Sequence, residues 1–213
     1  MNRLLKSYQT EIRPQLKTEL DLSNINQVPK LEKIVINSGV GRAVQDSKHL
    51  DIVIATLTKI SGQKPVVTKA KNSIAAFKLR EENPIGVKVT LRGEHMWEFL
   101  DRLIAVVIPR MRDFRGLSNK SFDPQGNYSI GINDQTVFPE ISFEDASATH
   151  GLQINIVTST KNKEHARLLM KKLGLPLEKG EEHGQKSINT TRAEASKTVS
   201  QIRNQTSRIK SCW

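Results

Sequence analysis

Lys69, Lys71, Lys78 and Arg80 crowd one polar stretch running from Val67 to Arg80, whose sole aromatic residue is Phe77. Its cations can neutralise phosphates, Thr68, Asn72 and Ser73 can hydrogen-bond, and Phe77 offers a stacking surface. That combination fits contact with nucleic acid, although an ordinary solvated loop also carries Lys and Arg. The whole chain has 33 Lys and Arg against 22 Asp and Glu, a formal net charge of +11 spread along its length. A polyanion, nucleic acid above all, is the expected partner.

Residues that could perform catalysis form no comparable pattern. His49, His95, His150, His165 and His183 occupy unrelated contexts and make no His-Glu-x-x-His pair, so no metal site is predicted. Asp113, Asp134, Glu140, Glu144 and Asp145 show no spacing that would set two carboxylates across a substrate. Surface solvation and local ion pairing account for them. No serine sits in a Gly-x-Ser-x-Gly turn, and Cys212, the single cysteine, excludes an intrachain disulfide. Gly39 and Gly41 follow a strand-like run, yet a dinucleotide fingerprint needs a third glycine where Val44 stands. Neither a cofactor nor an enzymatic activity is expected. No apolar run approaches the roughly 20 residues of a membrane span, so a reduced, intracellular protein without membrane contact is predicted.

The elements that must position the cations are legible from periodicity. Leu5, Tyr8, Ile12, Leu16 and Leu20 predict an amphipathic helix with Pro14 as a bend or break. Residues 31–37 read as a strand with Ile34 and Ile36 inward and Lys33, Val35 and Asn37 on the other side. Leu50, Val53, Ile54, Leu57 and Ile60 form a helical stripe closed by Ser61-Gly62. A short strand near residues 65–68 enters the basic stretch. Residues 85–92 leave it with clean alternation, so that Lys88, Thr90 and Arg92 share a polar face.

A further helix follows Gly93, with Met96, Phe99, Leu100, Leu103, Ile104 and Val107 apolar, and should stop at Ile108-Pro109. Trp97 is expected to pack rather than stack on a base. Residues 128–132 and 136–141 read as short strands or edge segments, with Pro139 arguing against a central position, and residues 152–158 as a better strand. Ala166, Leu169, Met170 and Leu173 predict a last core helix. The order of elements points to an α+β fold: a mainly antiparallel sheet, helices on one face and projecting basic loops. Residues 1–179 are expected to form a single RNA-binding domain, and 180–213, rich in Ser, Thr, Gln, Lys, Arg and Glu, a mobile extension.

Several ordered motifs carry a resemblance. Residues 33–41 (Lys-Ile-Val-Ile-Asn-Ser-Gly-Val-Gly), 68–80, 84–93, 109–118, Gly126-Asn127-Tyr128-Ser129 and Phe138-Pro139-Glu140-Ile141 are similar to the bacterial-type large-subunit ribosomal protein L5 (uL5) family. The resemblance covers nearly all of residues 1–179. It departs from the family in the long segment after Lys179 and in the turn Pro124-Gln125-Gly126.

The resemblance implies assembly on 5S rRNA in the central protuberance, beside 23S-type rRNA and other central-protuberance proteins. Asn37, Gly39, Gly41, Gln63 and Thr90 resemble RNA-contacting positions, and Arg42, Lys69, Lys71, Lys78 and Arg92 are the charges expected on phosphates. It further implies a P-site tRNA contact from a tip holding Asn72, Ser73, Ala75, Ala76, Phe77, Arg80 and Asn83. The whole basic loop could instead serve tRNA. Arg110, Arg112, Arg115, Asp134, Glu140 and Glu144 are expected to face the small subunit near its protein S13 in an intersubunit bridge. Alternatively, these arginines brace large-subunit RNA while the acids stay solvated. The implied location is a cytoplasmic or organellar ribosome. A nonribosomal RNA-binding module, or a basic protein-interaction module, is the competing reading.

Overall fold

The structure, a computed structural model, describes residues 2–41, 48–112, 114–141 and 149–178. Apolar and polar residues alternate along β1 (Leu31–Gly39), which buries Ile34, Ile36 and Ser38 and leaves Val35 and Asn37 half-buried on the reverse side. β2 (Val66–Lys69), β3 (Pro84–Leu91), β4 (Tyr128–Ile132) and β5 (Leu152–Thr158) complete a five-stranded sheet of order β2-β3-β1-β5-β4. All four pairings are antiparallel. Ile34 faces Leu91 and Ile156, and Ile36 faces Val89 and Ile154, so the three central strands supply one apolar floor.

Helices close over that floor. They are α1 (Arg3–Ser7) and α2 (Arg13–Glu19), α3 (Lys48–Ser61), α4 (Gly93–Arg102) and α5 (Ile108–Arg110), and α6 (Lys163–Lys172). Leu16, Leu57, Leu100, Leu103 and Leu169 are fully buried in the same cluster as Ile34 and Ile154. The fold is therefore α+β, with its helices on one side of an antiparallel sheet. Trp97 lies in this core with its ring centroid 5.2 Å from that of Tyr8, whose hydroxyl donates to the Pro29 carbonyl at 2.8 Å.

Pro14 does not end its helix, whereas the helix carrying Pro109 stops one residue later, at Arg110, as expected. A π-helical turn, Tyr8–Ile12, joins α1 to α2, and another, Leu103–Val107, joins α4 to α5. In both, the proline (Pro14 or Pro109) is the second residue after the turn. Arg13 N–H reaches back to the Tyr8 carbonyl and Ile108 N–H to that of Leu103. A proline lacks the N–H for the ordinary ladder and its ring crowds the carbonyl four residues back. The wider turn accommodates both effects, and after the first π turn the apolar stripe continues to Leu16.

The strand expected over residues 136–141 is a correction. Gln135–Val137 is a 3₁₀ turn, capped where Thr136 N–H donates to the Asp134 carboxylate at 2.9 Å. A local side-chain acceptor outcompetes the β preference of Thr136 and Val137.

Two close approaches fix the strand ends. Gly86 lies so near β1 and β2 that a Cβ there would stand 2.9 Å from both the Ser38 carbonyl oxygen and the Thr68 hydroxyl. The turn into β4 is tied to the end of β5. Asp123 accepts from Asn127 N–H at 2.7 Å and from its amide at 2.8 Å, while Thr158 Oγ1 donates to the Gly126 carbonyl at 2.9 Å. Gly126 has φ +79°, and a Cβ there would meet the Thr160 carbonyl oxygen at 2.9 Å. The departure at Pro124-Gln125-Gly126 thus sits inside a well-bonded turn.

Candidate RNA-binding surface

Strand register gathers polar residues from across the chain onto the sheet face away from the helices. One row crosses all five strands as Val66, Lys88, Asn37, Gln153 and Gly131. The next runs Thr90, Val35, Asn155 and Ser129. Neither row contains a carboxylate. Neighbouring strands lie about 4.8 Å apart, so Lys88, Asn37 and Gln153 present a cation and two amides side by side. Asn155 adds a buried Oδ1 with no hydrogen-bond partner among the described residues, and such an acceptor favours a donor brought by another molecule.

Asn37 and Thr90 are therefore brought together, with Lys88 between them in chain and space. Gln153, Asn155 and Ser129 were missed by sequence reasoning. Alternation alone marked their strands as one-sided but could not say which strands are neighbours. Gly39 and Gly41, at the end of β1, line a separate cleft of about 450 Å³ with His49, Thr149, His150 and Gly151. Gln63 stands in the turn before β2, where its N–H donates to the Ser61 hydroxyl at 3.2 Å and its side chain is exposed. Arg92, exposed, is one residue past β3, beyond Thr90. Arg42 lies outside the described residues.

Lys69, Lys71 and Lys78 do not join these rows. Lys69 ends β2, while Lys71 and Lys78 stand on the hairpin between β2 and β3, and all three are exposed. Ala70 N–H donates to the Asn83 carbonyl at 2.8 Å, and Ile74 and Leu79 exchange backbone bonds of 2.9 and 3.1 Å. A 3₁₀ turn, Ala75–Phe77, forms the tip, closed by Lys78 at φ +52°. This backbone scaffold aims side chains outward, leaving Phe77 74 % exposed and Ile74 43 % exposed. Asn72, Ser73, Ala75, Ala76 and Arg80 are exposed too, whereas Asn83 is half-buried at the root. The Ser73 hydroxyl accepts from Glu81 N–H at 2.9 Å.

A third region combines both charge signs. Arg110 and Arg112 line a cleft of about 300 Å³ with Gly131, Asn133, Asp134 and Thr136. Hydrogen bonds from the Thr136 backbone and hydroxyl, then the charges of Arg112 and His150, hold the Asp134 carboxyl below its ordinary range against partial desolvation. Arg115, exposed, is not among the lining residues. Glu140 pairs instead with Arg102, which also donates to the Ile60 carbonyl at 3.2 Å. Glu144 lies outside the described residues, as do Asp113, Asp145 and the segment 179–213.

The arrangement suits electrostatic and hydrogen-bonding recognition. Among the described residues no group of three His, Cys, Asp or Glu side chains could hold a metal, and no helix is long and apolar enough to cross a membrane. In comparison with known families, residues 24–80 match ribosomal protein L5 and residues 84–177 match the ribosomal L5P family C-terminus. The polar sheet face draws on both matched segments, since Asn37 comes from the first and Lys88, Gln153 and Asn155 from the second. The chain belongs to the ribosomal protein L5 family, whose members are structural, rRNA-binding constituents of the large ribosomal subunit.

Proposed function

We propose that this protein binds 5S rRNA through the open sheet face, with Asn37, Lys88, Thr90, Gln153 and Asn155 at its centre. The observation that carries this reading is the acid-free row Lys88–Asn37–Gln153, assembled by β1 from three strands. Amides can meet sugar hydroxyls and base edges, while Lys88 and the flanking Arg92 and Lys69 meet phosphates. Gly39 and Gly41 would let an RNA backbone come close, with Gln63 at the periphery, and Arg42 is assigned to a phosphate. Residues 1–179 act as one RNA-binding domain in this reading, and 180–213 as an appended segment.

The hairpin tip is assigned to P-site tRNA, with Phe77 offering a stacking plane and Lys71, Lys78 and Arg80 the charge. The mixed-sign cleft of Arg110, Arg112 and Asp134 is assigned, with Arg115 and Glu144, to an intersubunit bridge near small-subunit protein S13. Glu140, held by Arg102, supports that region from within. Central-protuberance proteins and 23S-type rRNA are the remaining neighbours, in a cytoplasmic ribosome.

Quantitative binding of the full chain to 5S rRNA tests the central assignment. An Asn37→Asp/Gln153→Glu variant should lose most affinity while keeping its melting temperature. Unchanged affinity in a folded variant would remove the sheet face from the interface.

A further inference from the structure

Arg102, the last residue of α4, joins two segments that the chain keeps far apart. Its Nη1 pairs with Glu140, and its Nη2 donates to the Ile60 carbonyl at 3.2 Å. A planar guanidinium fork suits two acceptors at once. Glu140 arrives there because Phe138, buried, stacks on Phe99 of the same helix with ring centroids 6.3 Å apart. The second carboxylate oxygen of Glu140, Oε2, is buried with no hydrogen-bond partner among the described residues, so Arg102 holds this group through Oε1. The neighbouring Asp101 is engaged by Arg3 at 2.9 Å and does not compete for the fork.

Ile60 lies in the last turn of α3, where carbonyls lack intrahelical donors. Gly62, at φ +69°, closes the helix by donating its N–H to the Thr58 carbonyl at 2.9 Å. Arg102 supplies the donor for Ile60, with the positive charge that a helix C-terminus favours. Ser61 follows, its hydroxyl 2.7 Å from the Leu57 carbonyl and 3.0 Å from that of Gln63, and accepts from Gln63 N–H at 3.2 Å. A continuous path therefore runs from Glu140 through Arg102, Ile60 and Ser61 to Gln63, whose side chain is exposed. Beyond Gln63, Pro65 is buried and Val66, the first member of the polar row, pairs with Lys88. The turn is thus pinned at both ends. The ion pair is partly open to solvent and adds little to global stability, so its effect falls on the geometry of this one turn.

We infer that Arg102 is a positioning residue for RNA recognition: oriented by Glu140, it locks the end of α3 so that the Gln63 amide is presented at the edge of the polar face, without touching RNA itself. The inference rests on the sheet-face reading and deepens it.

The test uses the full chain and 5S rRNA. Arg102→Gln should lower affinity about three- to tenfold, the scale of one hydrogen bond, as Gln63→Ala should, and the two together should lose no more than either alone. The slope of log affinity against log salt should stay at the parental value, because no phosphate contact is removed. Arg102→Lys keeps the charge but lacks the fork and should not restore binding. Arg3→Gln, which breaks the adjacent pair on the same helix, should bind like the parent. In the free protein, amide hydrogen exchange at Gly62 and Gln63 should quicken in Arg102→Gln and not in Arg3→Gln. Failure of the sheet-face reading is read separately, from the Asn37→Asp/Gln153→Glu variant, and the exchange rates judge the clamp whatever that variant does. Parental exchange or parental affinity in Arg102→Gln would overturn the proposal, as would additive losses with Gln63→Ala. A salt slope lowered by about 1, with binding restored by Arg102→Lys, would also overturn it by making Arg102 a phosphate contact.

Discussion

Asn37 on β1 and Gln153 on β5 are direct cross-strand neighbours, two amides from distant parts of the chain set on one face of the sheet. Beside them, Lys88 stands opposite Asn37 on the other flank of β1. If these side chains act together on RNA, Gln153→Ala should lower 5S rRNA affinity by about 1 to 2 kcal/mol, the scale of a hydrogen bond at an interface. Lys88→Gln should reduce the salt slope by about 1. Filter binding across a salt series checks both, and a Gln153→Ala variant with parental affinity would detach β5 from the contact.

Phe77 separates fold from function more sharply. Its ring is 74 % exposed at a turn held by backbone bonds, so Phe77→Ala should change stability by no more than about 0.5 kcal/mol. Ribosomes carrying the variant should bind P-site tRNA more weakly, with the loss read by footprinting. Intact footprints would return the tip to the role of a solvated loop.

Gly126→Ala should be far more damaging than its size suggests. The new methyl would meet the Thr160 carbonyl at a φ of +79°, where non-glycine residues are strained. Overpacking and strain together should cost about 1 to 3 kcal/mol, visible as a lower denaturation midpoint. A midpoint equal to that of the parent would show that the turn can shift without loosening β4.

Tyr128 gives the fold an alkaline limit. Burial, opposed by a hydrogen bond with Ser121 and reinforced by Glu178, pushes its phenol up to about 12. The folded value exceeds the unfolded value of about 10, so the contribution is whole below pH 10 and is lost as pH rises towards 12. Tyr128→Phe should flatten that alkaline loss in urea titrations, while forfeiting the 2.9 Å bond to the Ser118 carbonyl. Parallel alkaline profiles for parent and variant would contradict this.

Asp134 acts at the other end of the scale. Its folded value is depressed by Thr136 and Arg112, so its contribution is present above the unfolded value of about 3.9 and fades as pH falls through the folded one. Asp134→Asn should therefore melt lower than the parent at pH 7, and the gap should shrink in acid. A gap that persists unchanged in acid would assign the effect to packing instead of charge.

The sequence made the strands visible individually because Ile34, Ile36, Val87, Val89, Ile154 and Ile156 alternate with polar residues over one buried face. The surface they create together was hidden, since alternation is a property of one strand and register is a property of two. Gln153 and Asn155 thus went unnoticed, while Thr90 was marked by the alternation of its own strand and Asn37 by a family motif. The π turns before Pro14 and Pro109 were hidden for a different reason: each absorbs the proline's missing N–H, and nothing in the local composition announces it. The 3₁₀ turn at Gln135–Val137 could have been read from Asp134 preceding Thr136 by two. The pairing of Arg102 with Glu140 depends on how α4 lies against a distant loop, which only packing decides.

The middle position of β1 also governs how this chain comes into being. Both edges of β1 are satisfied by strands made after it, β3 and then β5, so its second edge stays open until Leu152–Thr158 has emerged. Pairings this far apart in sequence form slowly, and an unpaired apolar strand is a template for aggregation. Chains interrupted before Leu152 would keep that edge of β1 unpaired and carry only part of the polar face, so they are expected to aggregate more readily than the full chain.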